Sequence, residues 1–147
     1  MEKDKKISIG ADHAGFKLKE VLKKYLGDEK IEVIDFGCFS EDRVDYPDYG
    51  HKVASSVEKK ETEFGILICG SGNGINMAAN KHKGIRSALC WNKEIAELAR
   101  LHNNANIIAL PGRFMSDDEA KKCVDVFLNT AFEGGRHAQR VEKISAC

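Results

Sequence analysis

Apolar positions along this chain fall into short continuous runs, separated by longer stretches in which they recur every third or fourth residue. The short runs predict strands at Lys6–Gly10, Glu32–Phe36, Phe64–Cys69, Ile85–Trp91 and Ile107–Leu110. The periodic stretches predict helices near Phe16–Leu26, Tyr49–Lys60, Ile75–Asn80, Lys93–Leu101, Asp117–Thr130 and Arg136–Ile144. In the first of these, Val21, Leu22, Tyr25 and Leu26 share one helical face. Ser116-Asp117-Asp118-Glu119 reads as a capping box that opens the fifth. Strands alternating with helices imply βαβ units, hence an α/β fold of the doubly wound, Rossmann-like kind. The expected sheet is five-stranded and parallel, in the order 2-1-3-4-5. Ligands of such sheets bind beyond the carboxyl ends of the strands, where strand order reverses. The residues after the first strand, Asp12-His13, would there meet those after the third.

The segment after the third strand is the most informative. Ile66-Leu67-Ile68 predicts a strand buried on both faces, and it runs into Cys69-Gly70-Ser71-Gly72-Asn73-Gly74. Alternating glycines allow a sharp turn and a close approach of backbone to a ligand. The helix expected next would leave its first amides unpaired, a setting that attracts anions. Cys69 stands at the lip, as a side chain able to act as base or nucleophile. A plain strand–helix turn is the simpler account of the glycines, but three of them with Ser71 and Asn73 exceed what a turn needs. The spacing is not that of a dinucleotide fingerprint, and the lysine of a P-loop is missing.

Three other clusters carry chemistry. Asp12-His13-Ala14-Gly15 joins the first strand to its helix, where Asp12 also suits a capping role. His102-Asn103-Asn104-Ala105-Asn106 precedes the last strand; a polar turn explains its asparagines better than its histidine. Arg136 and Arg140 lie four residues apart on one helix face, after Gly134-Gly135, and Arg113 follows the fifth strand. Guanidinium groups paired in this way recognise phosphate, although a solvated basic face is the commoner fate of such a pair.

Composition narrows the picture. The 147 residues fit one domain spanning 1–147, long enough to bury a core without metal or disulfide staples. Lys+Arg and Asp+Glu are both 23, so the balance favours neither a nucleic-acid nor a membrane partner. No apolar run is long enough for a transmembrane helix, and the charged start lacks a signal-peptide core. Five widely spaced cysteines without a CxxC pair point to free thiols in a reducing cytoplasm, with Cys38, Cys90 and Cys123 structural and Cys147 exposed.

The motifs together resemble the type B ribose-5-phosphate isomerases. Gly10-Ala11-Asp12-His13-Ala14-Gly15, Asp45-Tyr46-Pro47-Asp48-Tyr49 and Cys69-Gly70-Ser71-Gly72-Asn73-Gly74 carry the likeness. Ala78-Ala79-Asn80-Lys81, Gly84-Ile85-Arg86, His102-Asn103-Asn104-Ala105-Asn106 and Phe132-Glu133-Gly134-Gly135-Arg136-His137 continue it, in order, along essentially the whole chain. The wider family includes galactose-6-phosphate and allose-6-phosphate isomerases. The resemblance implies interconversion of ribose 5-phosphate and ribulose 5-phosphate through an enediolate, with no metal and no cofactor. It implies Cys69 as the base; some relatives carry a glutamate where this chain has Ile75, and the apolar residue favours the thiolate. His102 would assist opening of the furanose ring, with Asp12 as a polar partner. The amides of Gly70, Ser71, Gly72, Asn73 and Gly74, with the Ser71 and Asn103 side chains, would hold the enediolate oxygens. His13, Arg113, Arg136 and Arg140 would hold the phosphate, and Tyr46 would lie against the sugar. The family builds its sites between subunits, so a homodimer or a dimer of dimers is implied. A phosphate- or nucleotide-binding module without catalysis is the competing reading, and it has no use for Cys69 and His102 together.

Overall fold

The buried strands and amphipathic helices assemble as a three-layer α/β sandwich. The computed structural model describes residues 5–147. The elements in chain order are β1 (Lys6–Ala11), α1 (Phe16–Asp28), β2 (Glu32–Asp35), α2 (Tyr46–Glu58), β3 (Phe64–Cys69) and α3 (Asn73–Ala79). There follow β4 (Ser87–Leu89), α4 (Lys93–Asn103), β5 (Ile107–Pro111), α5 (Asp117–Asn129) and α6 (Arg136–Ile144). All strand pairs are parallel.

The alternation of side chains along β3 divides the core. Ile66 and Ile68 join Ile7, Ile9, Ile108 and Leu110 beneath α1, α4 and α5. Leu67 and Cys69 point the other way, among Val53, Ala54 and Val57 of α2 and Ile75 and Ala79 of α3. Every residue of β3 is buried, which is why its sequence shows no polar face. Burial of each such aliphatic side chain stabilises the fold by about 1.5–3 kcal/mol. Among the described residues, no helix is long and apolar enough to cross a membrane.

The sheet is the five-stranded parallel array expected, but its order is β2-β1-β3-β5-β4, so the last two strands exchange places. The reason lies in burial. β5 is buried along its whole length and belongs between neighbours. β4 has shrunk to three residues, two of them half-buried, and suits an edge. The exchange pairs Cys69 with Pro111 across adjacent strands. The short α3 begins at Asn73, so Asn73 and Gly74 form its first turn rather than the loop before it. Helix α2 begins at Tyr46, with Pro47 in its first turn, where a missing N–H costs nothing.

One buried charge escapes sequence patterning. Lys19 of α1 is fully buried, and its Nζ bonds Asp35 of β2 and Glu20. Lys23 Nζ reaches the same Asp35 carboxylate at 2.8 Å. Burial pushes the Asp35 carboxyl up, but bonds from Lys19, Lys23 and the Gly37 amide outweigh it and hold the group below its ordinary value.

Candidate active site

The carboxyl ends of β1, β3 and β5 lie side by side. Asp12 N–H donates to the Ile68 carbonyl at 3.2 Å, which joins the turn after β1 to the end of β3. Asp12 is buried, and its Oδ1 accepts from the amides of Ala14 and Gly15 at 3.0 and 3.2 Å. The carboxylate thus shapes the β1–α1 connection, an Asx turn just ahead of the helix. Beside it, His13 Nδ1 accepts from the Val44 amide at 3.2 Å, which leaves Nε2 to carry the proton of the neutral ring.

The glycine turn follows Cys69 directly. Gly72 has φ +80°, and a Cβ there would lie 2.5 Å from Leu89 and 3.1 Å from the Leu110 carbonyl carbon. Only glycine fits that left-handed, enclosed position. Ser71 Oγ accepts from the Asn73 amide at 3.2 Å, and both residues are exposed. The Arg113 amide donates to the Gly70 carbonyl at 3.0 Å, and the Arg113 guanidinium lies over Gly70. Tyr46, at the start of α2, covers Gly74. Cys69, Gly70, Ser71, Gly72, Asn73, Gly74, Asp12, His13, Tyr46 and Arg113 are therefore neighbours at one end of the sheet. Cys69 is buried, 4% exposed as a residue.

The remaining expected residues gather at the other end. His102 and Asn103 close α4, which leads into the amino end of β5. Ile107, the first residue of β5, is in register with Gly65, four residues before Cys69. That offset alone is about 13 Å at the rise of a parallel strand. Arg140 lines a cavity of about 270 Å³ together with His102, Asn103, His137, Val141 and Ile144. Arg136 begins the same helix, α6. One chain thus does not bring His102, Asn103, Arg136 and Arg140 to Cys69. The other asparagines of the 102–106 cluster are structural: Asn104 is the left-handed cap of α4, and Asn106 bonds the Arg86 amide and the Gly84 carbonyl.

His137 emerges as a member of this second cluster with no role expected from sequence. Its ring stacks on that of His102, centroids 4.2 Å apart and 16° from parallel. It is 4% exposed, and its Nε2 is buried with no hydrogen-bond partner among the described residues. Burial, then the facing His102 and the nearby Arg136, hold its pKa below the usual histidine value. Glu133 Oε2 lies 3.9 Å from His102 Nε2. Arg113, Arg136 and Arg140 have no carboxylate partner among the described residues.

The five cysteines are all free. Burial pushes the Cys90 thiol to about 12 and the Cys123 thiol to about 11, and raises that of Cys38. Those three stay protonated and inert at neutral pH.

Residues 7–144 match the model of a family described as Ribose/Galactose Isomerase. The ribose-5-phosphate isomerase B of Escherichia coli is 47% identical over 142 residues, which cover 97% of this chain and 95% of that protein. A crystal structure of a ribose 5-phosphate isomerase from Thermotoga maritima superposes with a TM-score of 0.97 at 52% identity, covering 98% of this chain and 99% of the other. The Mycoplasma genitalium ribose-5-phosphate isomerase B, solved with bound ribulose-5-phosphate, superposes with a TM-score of 0.93 at 43% identity, over 97% and 95% of the two chains. A match along almost the whole length places the chain in the ribose/galactose isomerase family.

Proposed function

We propose that this chain, as a single domain over 1–147, interconverts ribose 5-phosphate and ribulose 5-phosphate by metal-free proton transfer. The observation that carries the reading is the Cys69 thiol at the rim of a glycine turn, on a backbone that follows a relative holding ribulose-5-phosphate. The Cys69 thiolate takes the proton from C2 of the open-chain aldose. The C–H electron pair becomes the C1=C2 double bond, and the carbonyl electrons move to O1. The C1=C2 pair then takes the proton back from the same thiol at C1, while the O2 proton passes to O1, so that C2 becomes the ketone and O1 a hydroxyl. A base within reach and donors aimed at the developing oxyanion lower this barrier. The turn amides, Ser71 and Asn103 supply the donors, and His102 helps open the ring, with Asp12 as its polar partner. Tyr46 packs against the sugar, and His13, Arg113, Arg136 and Arg140 grip the phosphate, whose binding energy orients the reacting carbons.

These roles require the two ends of the sheet to meet. A second copy that sets its His102 end against the Cys69 crevice completes each site, so the working form is a homodimer or a dimer of dimers. Its free thiols suit a reducing cytoplasm. The test is an assay of ribose 5-phosphate, allose 6-phosphate and galactose 6-phosphate side by side, with sedimentation at the assay concentration. Preference for the pentose and an active dimer support the reading. A hexose preference moves the chain to its sister activities, and an active monomer removes the shared site.

A further inference from the structure

The His102 cluster holds three groups of the kind that ligate transition metals, none of them needed for that purpose by the reaction proposed above. His102, Glu133 and His137 each present a donor atom, and the three donors lie within 4.8 Å of one another. The second observation is His137 itself. A buried imidazole nitrogen without a partner carries a desolvation cost that a native fold normally relieves, and here Nε2 is buried with no partner among the described residues. The cavity of about 270 Å³ beside it leaves room for an ion and its waters.

We propose that His102, Glu133 and His137 form a site for a divalent transition ion of the imidazole-preferring kind, with Zn2+ as the representative. Two imidazoles and one carboxylate are a common zinc donor set, with the fourth position open to water. Bound at about 2.0–2.1 Å, two ligand atoms of a tetrahedral zinc lie about 3.3 Å apart. The donors here must close in, and the His102 ring must turn out of its near-parallel stack on His137 so that both lone pairs face one ion. Glu133 is exposed and His102 half-exposed, so their rotamers supply the movement while buried His137 stays in place. Arg140 on the cavity rim opposes a cation, and the Glu133 carboxylate offsets it. The ion is not a cofactor. It occupies the His102 ring nitrogen that the isomerase reading assigns to substrate, so zinc inhibits. Only this inhibition rests on that reading; binding does not.

Binding is therefore measured first, by titrating EDTA-stripped protein with Zn2+ in a calorimeter without sugar, on a Cys147→Ser background that removes the exposed thiol. One zinc per chain is expected. Glu133→Gln and His137→Ala should each weaken binding by about tenfold or more, since even supporting groups around a metal are worth that much. Glu133→Gln is the exposed, fold-neutral variant and should keep metal-free activity while losing zinc inhibition. Absence of zinc binding, or binding unchanged in both variants, overturns the site. Binding that follows the variants while activity ignores zinc retains the site and refutes its link to the reaction.

Discussion

The Tyr46 ring lies so close over Gly74 that a Cβ on the glycine would come 2.5 Å from two of its ring carbons and 2.9 Å from its hydroxyl. Tyr46 is 40% exposed, so the ring can swing outward rather than strain the core. Gly74 sits in the first turn of α3, where alanine has the better helix propensity by about 0.5–1 kcal/mol. Gly74→Ala should leave the melting temperature unchanged or slightly raised and increase KM for ribose 5-phosphate. Paired thermal melts and kinetics check it; an unaltered KM would show that Tyr46 does not touch the sugar.

Alkylation of Cys69 should abolish activity, and substrate should slow the reaction by filling the crevice. Cys38, Cys90 and Cys123 have raised pKa values, so they compete poorly for iodoacetamide. Exposed Cys147 should react without consequence. Peptide mapping after partial inactivation, with and without ribose 5-phosphate, reads the site directly. Inactivation that tracks another cysteine, or full activity in Cys69→Ala, would remove the thiolate from the mechanism.

Arg136→Ala and Arg140→Ala should weaken substrate binding about ten- to a hundredfold, the loss of a charge-assisted contact of roughly 1.5–3 kcal/mol. Both guanidinium groups are exposed and lack a carboxylate partner among the described residues, so stability should scarcely change. Steady-state kinetics with urea melts separates the two effects. Normal kinetics in both variants would place the phosphate elsewhere.

Asp35→Asn should destabilise the fold by about 3 kcal/mol, because it strips a fully buried Lys19 of its main counter-charge. The wild-type carboxyl has a lowered folded-state pKa, so its stabilisation is present above the unfolded value near pH 4 and is lost as pH falls below that. Urea midpoints between pH 7 and 3 should fall more steeply for the wild type than for the variant. Parallel curves would show that the pair contributes nothing to acid sensitivity.

The β3 strand and its turn were legible because burial on both faces and alternating glycines leave a local mark. Helix α5 was legible from its cap: Ser116 Oγ accepts from the Glu119 amide at 3.1 Å. The exchange of β4 and β5 was not, since which strand is central depends on packing across the whole sheet. Lys19 was hidden because its counter-ion lies on another element, sixteen residues away. His137 looked like any polar residue of an exposed helix; its burial arises from the return of α6 onto α4. The remoteness of His102 from Cys69 did leave a signal. A residue that precedes a strand of a parallel sheet stands at its amino end, whereas a residue that follows one stands at its carboxyl end.

That division of the sheet has a genetic face. On the two-chain reading, a Cys69→Ala copy and a His102→Ala copy each lack one half of every site, and each alone is dead. A mixed dimer of the two unites both lesions in one site and leaves the other intact. Random assortment of equal amounts then restores about a quarter of the native rate. Two recessive lesions in a single gene would complement each other, as though they lay in different genes.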